Sequence, residues 1–159
     1  MPDPDRIKVL FVCMGNICRS PLAEGLFLHK INHRGIAHRF KVDSCGTGKW
    51  HVGARPDPRI LELGQCHGIA LPSRARQVRI SDFESFDHIL CMDDENRMDL
   101  LDLGAPESKV MLMLDCDPEQ SLREVPDPYY GGEDGFHQIF TMLDGATEAL
   151  IDTMLGDTT

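Results

Sequence analysis

The chain has 159 residues, 42% of them apolar, with sixteen lysines and arginines against twenty-six acids and a net charge of −10. That size suits one domain with a single sizeable core. The acidic balance, with no basic run anywhere, argues against nucleic acid or an anionic membrane as partner. The longest apolar run, Val9 to Met14, falls far short of the ~20 residues a membrane span needs. Met1-Pro2-Asp3-Pro4-Asp5 is acidic and proline-rich, unlike a secretory signal. Residues 1–6 are expected to be a flexible lead-in to a single domain over 7–156, in a cytoplasmic protein. In that reducing compartment six cysteines are thiols rather than a disulfide scaffold. No Cys-x-x-Cys pair is present, so neither a metal nor a cofactor is expected, and Cys45, Cys66, Cys91 and Cys116 read as small buried hydrophobes.

In chain order, Ile7 to Val12 reads as a buried strand that runs straight into Cys13-Met14-Gly15-Asn16-Ile17-Cys18-Arg19. Ser20 as N-cap and Pro21 at the first helical position then open a helix carrying Leu22, Leu26, Phe27 and Ile31 to the core. Phe40 to Ser44 is a second strand. Asp57-Pro58 starts a helix that Gly68 stops, and Ser81-Asp82-Phe83-Glu84 has the pattern of a capping box. Phe86 to Met92 is a third strand, followed by a helix capped at Asp93 or Asp94 and ending near Leu103-Gly104. Lys109 to Leu114 is the fourth. Val125 to Gly132 is a proline-rich loop, and apolar residues at helical spacing predict a last helix over 135–155. Strands alternating with helices predict an α/β fold: a doubly wound, four-stranded parallel sheet with helices on both faces. Ligands of such sheets bind beyond the carboxyl ends of the strands, where Cys13, Asp93 and the loop holding Asp127 all fall.

The Cys13-x5-Arg19-Ser20 pattern between a strand and a helix suits a phosphate dianion. A tight loop entering a helix N-terminus turns backbone N–H groups inward and adds the helix dipole. Gly15 and Asn16 tolerate left-handed backbone, and the planar fork of Arg19 grips two phosphate oxygens at once. A cysteine in that field is expected to have a pKa of roughly 3.5–7.5, with Ser20 able to donate a hydrogen bond to the thiolate. The bland alternative is a strand-end cysteine in an ordinary turn. No Gly-Lys-Ser/Thr follows, which excludes a Walker nucleotide loop, and no dinucleotide fingerprint is present. Asp127, between Pro126 and Pro128, is either an ordinary Asp-Pro turn or a general acid for the leaving oxygen and then a base for water.

These residues carry a resemblance that spans nearly the whole chain. Val9-Leu10-Phe11-Val12-Cys13-Met14-Gly15-Asn16-Ile17-Cys18-Arg19-Ser20-Pro21 and Asp127-Pro128-Tyr129-Tyr130-Gly131 resemble the low-molecular-weight protein tyrosine phosphatases. Trp50-His51-Val52-Gly53, Ala75-Arg76-Gln77 and Phe86 to Asp93 add to it. The resemblance implies a phosphotyrosine phosphatase I-like fold and a tyrosine-phosphorylated protein as substrate. It implies Cys13 as nucleophile, Arg19 as phosphate clamp and Asp127 as acid and base. Met14, Gly15, Asn16, Ile17, Cys18 and Ser20 would bind phosphate, Ser44 and Asp93 would support the loop, and Trp50, Tyr129 and Tyr130 would wall the substrate pocket. A monomer or weak dimer is expected.

The sequence departs from the family pattern at Cys45, where alanine is common, and at Ser73, where some members place a histidine that braces the phosphate loop. An arsenate reductase shares this fold and loop but needs two relay cysteines on a mobile segment, and Cys66, Cys91 and Cys116 are isolated. A phosphocarrier or binding module would not need Asp127 on its own loop. Cys18 is open to two readings, as a small residue packed beneath the loop or as a resolving thiol for an oxidised Cys13.

Overall fold

Val9, Leu10, Phe11 and Val12 are all 0% exposed, as a central strand with a layer on each face requires. They lie in β1 (Ile7–Cys13), which pairs with β2 (Phe40–Gly46) on one side and β3 (His88–Cys91) on the other, with β4 (Val110–Leu112) outside β3. Every pairing is parallel, and the register sets Cys13 opposite Gly46 and Val12 opposite Cys91. The computed structural model describes residues 6–128 and 132–156, so the expected flexible N-terminus, Arg6 apart, lies outside the described residues.

Successive strand side chains point to opposite faces, and β1 therefore divides the core. Val9 and Phe11 meet a layer made by α1 (Arg19–His33), α2 (Pro58–Cys66) and α5 (Gly132–Gly156). There the Phe27 ring lies 5.7 Å from Phe11 and 5.2 Å from Phe40. Leu10 and Val12 meet Phe83 of α3 (Asp82–Ser85) and Leu100 of α4 (Asp94–Asp102). Burying a side chain of this kind contributes about 1.5–3 kcal/mol, so β1 anchors both layers. At the surface α1 is tied to α5: Lys30 Nζ lies 2.9 Å from both Asp144 and Glu148, and Arg34 pairs with Glu148 and Asp152. Among the described residues no helix is long and apolar enough to cross a membrane.

Several boundaries follow their sequence cues. Asp57 caps α2 by accepting the Arg59 N–H at 2.8 Å, and Gly68 takes the left-handed conformation (φ 71°) just beyond its end. Other boundaries differ for identifiable reasons. Phe86 closes α3 by donating its N–H to Asp82 O, which leaves β3 only His88–Cys91. Residues 113–116 coil into a 3₁₀ turn packed on α5, which ends β4 at Leu112. Ser81 forms no capping box; Asp82 accepts the Arg79 N–H at 2.7 Å and pairs with Arg76, leaving the serine hydroxyl no capping role. Helix α5 starts at Gly132, three residues earlier than its apolar periodicity marked. Cys45 and Cys91 are buried as expected, but Cys66 is exposed at the end of α2 and Cys116 is half-buried in the turn after β4.

Candidate active site

The carboxyl ends of the four strands lie along one edge, so the loops that follow them converge there. Cys13 ends β1 at 3% exposure. Its Sγ is 3.2 Å from the Asn16 N–H, which donates to it, and 3.0 Å from Ser20 Oγ. Asn16 is the one described non-glycine residue with positive φ, 56°, a conformation asparagine tolerates better than most. Gly15 needs no such freedom; a Cβ there would come within 3.0 Å of the His51 ring.

Buried hydrogen bonds hold this strained turn. Asn16 Nδ2 donates to Ser20 Oγ (2.8 Å) and Ser44 Oγ (3.0 Å), and its Oδ1 accepts the Arg76 N–H at 3.0 Å. Ser44 in turn donates to Glu24 Oε1 at 2.6 Å and lies 3.5 Å from Ser73 Oγ. Ser73 therefore joins the network as a second hydroxyl. From outside, Thr47, Gly48 and Asp57 donate their N–H groups to the carbonyls of Cys13, Met14 and Ile17. Gly46 lets these strands approach: a Cβ there would sit 2.7 Å from Met14 O.

The N-terminus of α1 corrects one expectation. The helix begins at Arg19 with Cys18 at the cap, and Ser20 lies inside the first turn. Its hydroxyl is committed to Cys13 and Asn16, so it caps nothing. Pro21 still fits, because N–H groups of the first turn have no partner within the helix.

Arg19 is 4% exposed and donates from Nη1 to Asp93 Oδ2 (2.7 Å) and Val125 O (2.9 Å). Burial acts to lower its pKa, but Cys13, the bond to Asp93 and the charge of Asp127 outweigh it, and the net shift is upward. Asp93 also caps α4, accepting the Asn96 N–H at 2.8 Å while Asn96 Oδ1 accepts the Asp93 N–H. Val125 donates its N–H to Met92 O at the end of β3. One arginine thus fixes both the α4 cap and the start of the loop that carries Asp127.

A cleft of about 180 Å³ opens over the turn, lined by Cys13, Met14, Gly15, Ile17, Cys18, Arg19, His51 and Asp127. A larger cavity, about 410 Å³ between α1 and residues 68–72, gathers no comparable set of nucleophile, guanidinium and carboxylate. Cys13 and Arg19 from the turn and Asp127 from a loop remote in sequence therefore line the same cleft. Cys18, which lines the same cleft, is itself buried, and burial, with Asp57 and Cys13 adding to it, pushes its thiol up. Trp50, expected on the wall, is 72% exposed with its ring against Gly48, and the adjacent His51 is the side chain that lines the cleft. Tyr129 and Tyr130 lie outside the described residues.

Two contributors escaped the sequence reading. His51 stood inside a recognised motif, beside the more conspicuous tryptophan. Glu24 is one turn from Ser20 on α1, the only available cue, and is buried behind the loop. Burial raises its pKa, against the opposing hydrogen bonds from Ser44 and Ser73.

Comparison with known proteins agrees with this geometry. The sequence matches the low molecular weight phosphotyrosine protein phosphatase family over residues 8–158. It is 46% identical over 140 residues to the low molecular weight phosphotyrosine protein phosphatase of Schizosaccharomyces pombe, covering 86% of this chain and 90% of that one. The crystal structure of a protein tyrosine phosphatase from Entamoeba histolytica with Hepes in the active site superposes with a TM-score of 0.90 at 40% identity, covering 96% of this chain and 99% of that one. YfkJ from Bacillus subtilis superposes at 0.93 with 35% identity, covering 99% and 100%. With the match running from the second residue of β1 past the end of α5, the chain belongs to the low-molecular-weight phosphotyrosine protein phosphatase family.

Proposed function

We propose that the protein hydrolyses phosphotyrosine in proteins through a covalent phosphocysteine at Cys13. The observation that carries this reading is the meeting of Cys13 Sγ, the buried Arg19 guanidinium and Asp127 in one cleft at the N-terminus of a helix. The phosphate dianion sits in the turn against inward N–H groups and Arg19, which meets the charge on its equatorial oxygens. The Cys13 thiolate attacks phosphorus in line, the P–O bond to the tyrosine breaks, and Asp127 as a carboxylic acid delivers its proton to the departing phenolic oxygen. Asp127, now a carboxylate, takes a proton from water as that water attacks phosphocysteine. The P–S bond breaks, phosphate leaves and the thiolate returns.

Asp93 acts through Arg19, aiming the guanidinium, and Asn16, Ser20 and Ser44 hold the curl of the turn. Trp50 supplies the apolar grip on the aromatic ring, and the depth of the cleft selects phosphotyrosine over the shorter phosphoserine. The reaction takes place in the cytoplasm. There a peroxide-oxidised Cys13 would be captured by Cys18 as a disulfide; a Cys13–Cys18 cross-linked peptide after peroxide treatment supports this, and its absence overturns it.

The main test compares phosphate release from phosphotyrosine and phosphoserine peptides, with acid trapping of the enzyme during turnover. Wild type should release phosphate from phosphotyrosine far faster and carry acid-trapped phosphate on Cys13. Cys13→Ser should lose about 10⁵–10⁶-fold in turnover, the scale of a removed nucleophile. Substantial turnover in Cys13→Ser would overturn the reading.

A further inference from the structure

Residues 47–80 hold six of the sixteen lysines and arginines but only two of the twenty-six acids. This net-positive stretch in a chain of charge −10 reaches the cleft through His51. Its two arms, 47–57 and 72–79, are laced together: Gly53 donates to Ala75 O, Ala75 to Ala54 O, and Arg74 Nη1 to Gly53 O. They are bonded to the phosphate turn through Thr47, Gly48 and Asp57, and His51 reaches from them into the cleft itself.

Two of the six cations are neutralised, Arg59 by Asp57 and Arg76 by Asp43 and Asp82. Among the described residues the side-chain cations of the other four, Lys49, Arg55, Arg74 and Arg79, have no carboxylate partner, and all four residues are exposed. Arg55 and Arg74 border a second cleft of about 180 Å³, with Pro56, Pro72 and Ser73 between them. Trp50 and Val52, 72% and 59% exposed, stand on the same arm as Lys49. Cations left without carboxylates in a chain so rich in acid form a field for an external anion.

We propose that this rim reads the sequence around the phosphotyrosine by docking an acidic stretch of the substrate protein. Substrate carboxylates sit at Arg55 and Arg74 in the second cleft and along Lys49 and Arg79, while Trp50 and Val52 supply apolar contact beside them. The proposal deepens the phosphatase reading and rests on it. Because rim charges act chiefly on encounter and ground-state binding, the effect belongs in KM rather than kcat.

The test measures kcat and KM for matched phosphotyrosine peptides with Asp/Glu, Ser/Ala or Lys flanks. Free phosphotyrosine and para-nitrophenyl phosphate serve as substrates without flanks. Wild type at low salt should prefer the acidic peptide to the neutral one by about tenfold, the product of several modest exposed ion pairs. The preference should shrink toward unity at about 0.5 M salt, where screening is strong. The variant Lys49→Glu/Arg55→Glu/Arg79→Glu should lose or invert it, with para-nitrophenyl phosphate turnover unchanged as the check on folding. Equal rates on acidic and neutral peptides in wild type, or a variant that keeps the preference or loses all substrates alike, overturn the docking proposal. Turnover of free phosphotyrosine in those cases leaves the phosphatase reading standing; its absence in wild type overturns both.

Discussion

The turn under the cleft and the rim around it are built in opposite ways. In the turn, Asn16, Arg19, Ser20 and the supporting Ser44 are all buried and hydrogen-bonded, and no described buried side-chain polar atom in the protein lacks a partner. On the rim, Trp50, Val52 and Ile80 are exposed, and four cations have no carboxylate partner among the described residues. Buried polar groups are costly to leave unpaired, so a satisfied network admits one geometry. Exposed side chains carry no such penalty and can be exchanged without disturbing the turn. On the proposed mechanism, chemistry belongs to the first kind of construction and recognition to the second. On this division, damage to the turn should lower kcat and damage to the rim should raise KM.

The largest of these effects tests the one residue of the cleft that comes from the loop after Val125. Asp127→Ala should cut kcat on phenyl phosphates with poor leaving groups by about 10²–10⁴, the usual worth of a general acid. The loss should shrink as the leaving group improves. If it is the same for every leaving group, Asp127 is structural and the catalytic wall narrows to the turn alone.

Asn16 separates strain from bonding within the turn. Asn16→Ala removes three side-chain hydrogen bonds and leaves a β-carbon at φ 56°. It should cost about 2–4 kcal/mol in denaturant unfolding and, by misplacing Cys13, about 10²-fold in kcat. Asn16→Gly restores the backbone freedom but not the bonds, and should recover about 1 kcal/mol with little of the rate. Full recovery by glycine would mean that the network does not position the turn.

On the rim, Trp50→Ala should raise KM for a phosphotyrosine peptide about 3–10-fold, the worth of one aromatic contact, with kcat unchanged. A fall in kcat of equal size would dissolve the distinction between the two regions.

The smallest effect lies behind the turn. Burial raises the pKa of Glu24, so its contribution to stability is fully present below the ordinary glutamate range, about pH 4.3. It is lost as pH rises through the raised value in the folded protein. Asp43 and Arg76 face the carboxyl with opposite effects. Glu24→Gln keeps an acceptor for Ser44 without the charge, so unfolding midpoints measured against pH should show the variant gaining on wild type from the acid side toward neutrality. Parallel curves would show that Glu24 is ionised without cost.

How much was legible in the sequence depended on how local each cue was. The run Val9 to Val12, the alternation of strands with helices, the Asp57-Pro58 cap and the loop from Cys13 to Arg19 are stretches whose patterns carry their own physical reason. From them the parallel four-stranded sheet could be read directly, and the loop itself marked Cys13 and Arg19 as candidates. Ser20 and Ser81 show the limit of the same reasoning. Each has a capping pattern and neither caps: the Ser20 hydroxyl bonds to Cys13 and Asn16 across the curl of the turn, and at Ser81 it is the neighbouring Asp82 that takes the Arg79 N–H and the Arg76 guanidinium. The partners of Arg19, the burial of Glu24, the entry of His51 into the cleft and the isolation of four cations on the rim were likewise decided only by folding. They depend on distances between segments that no local pattern encodes, whereas strand, helix and turn propensities act over a few neighbouring residues.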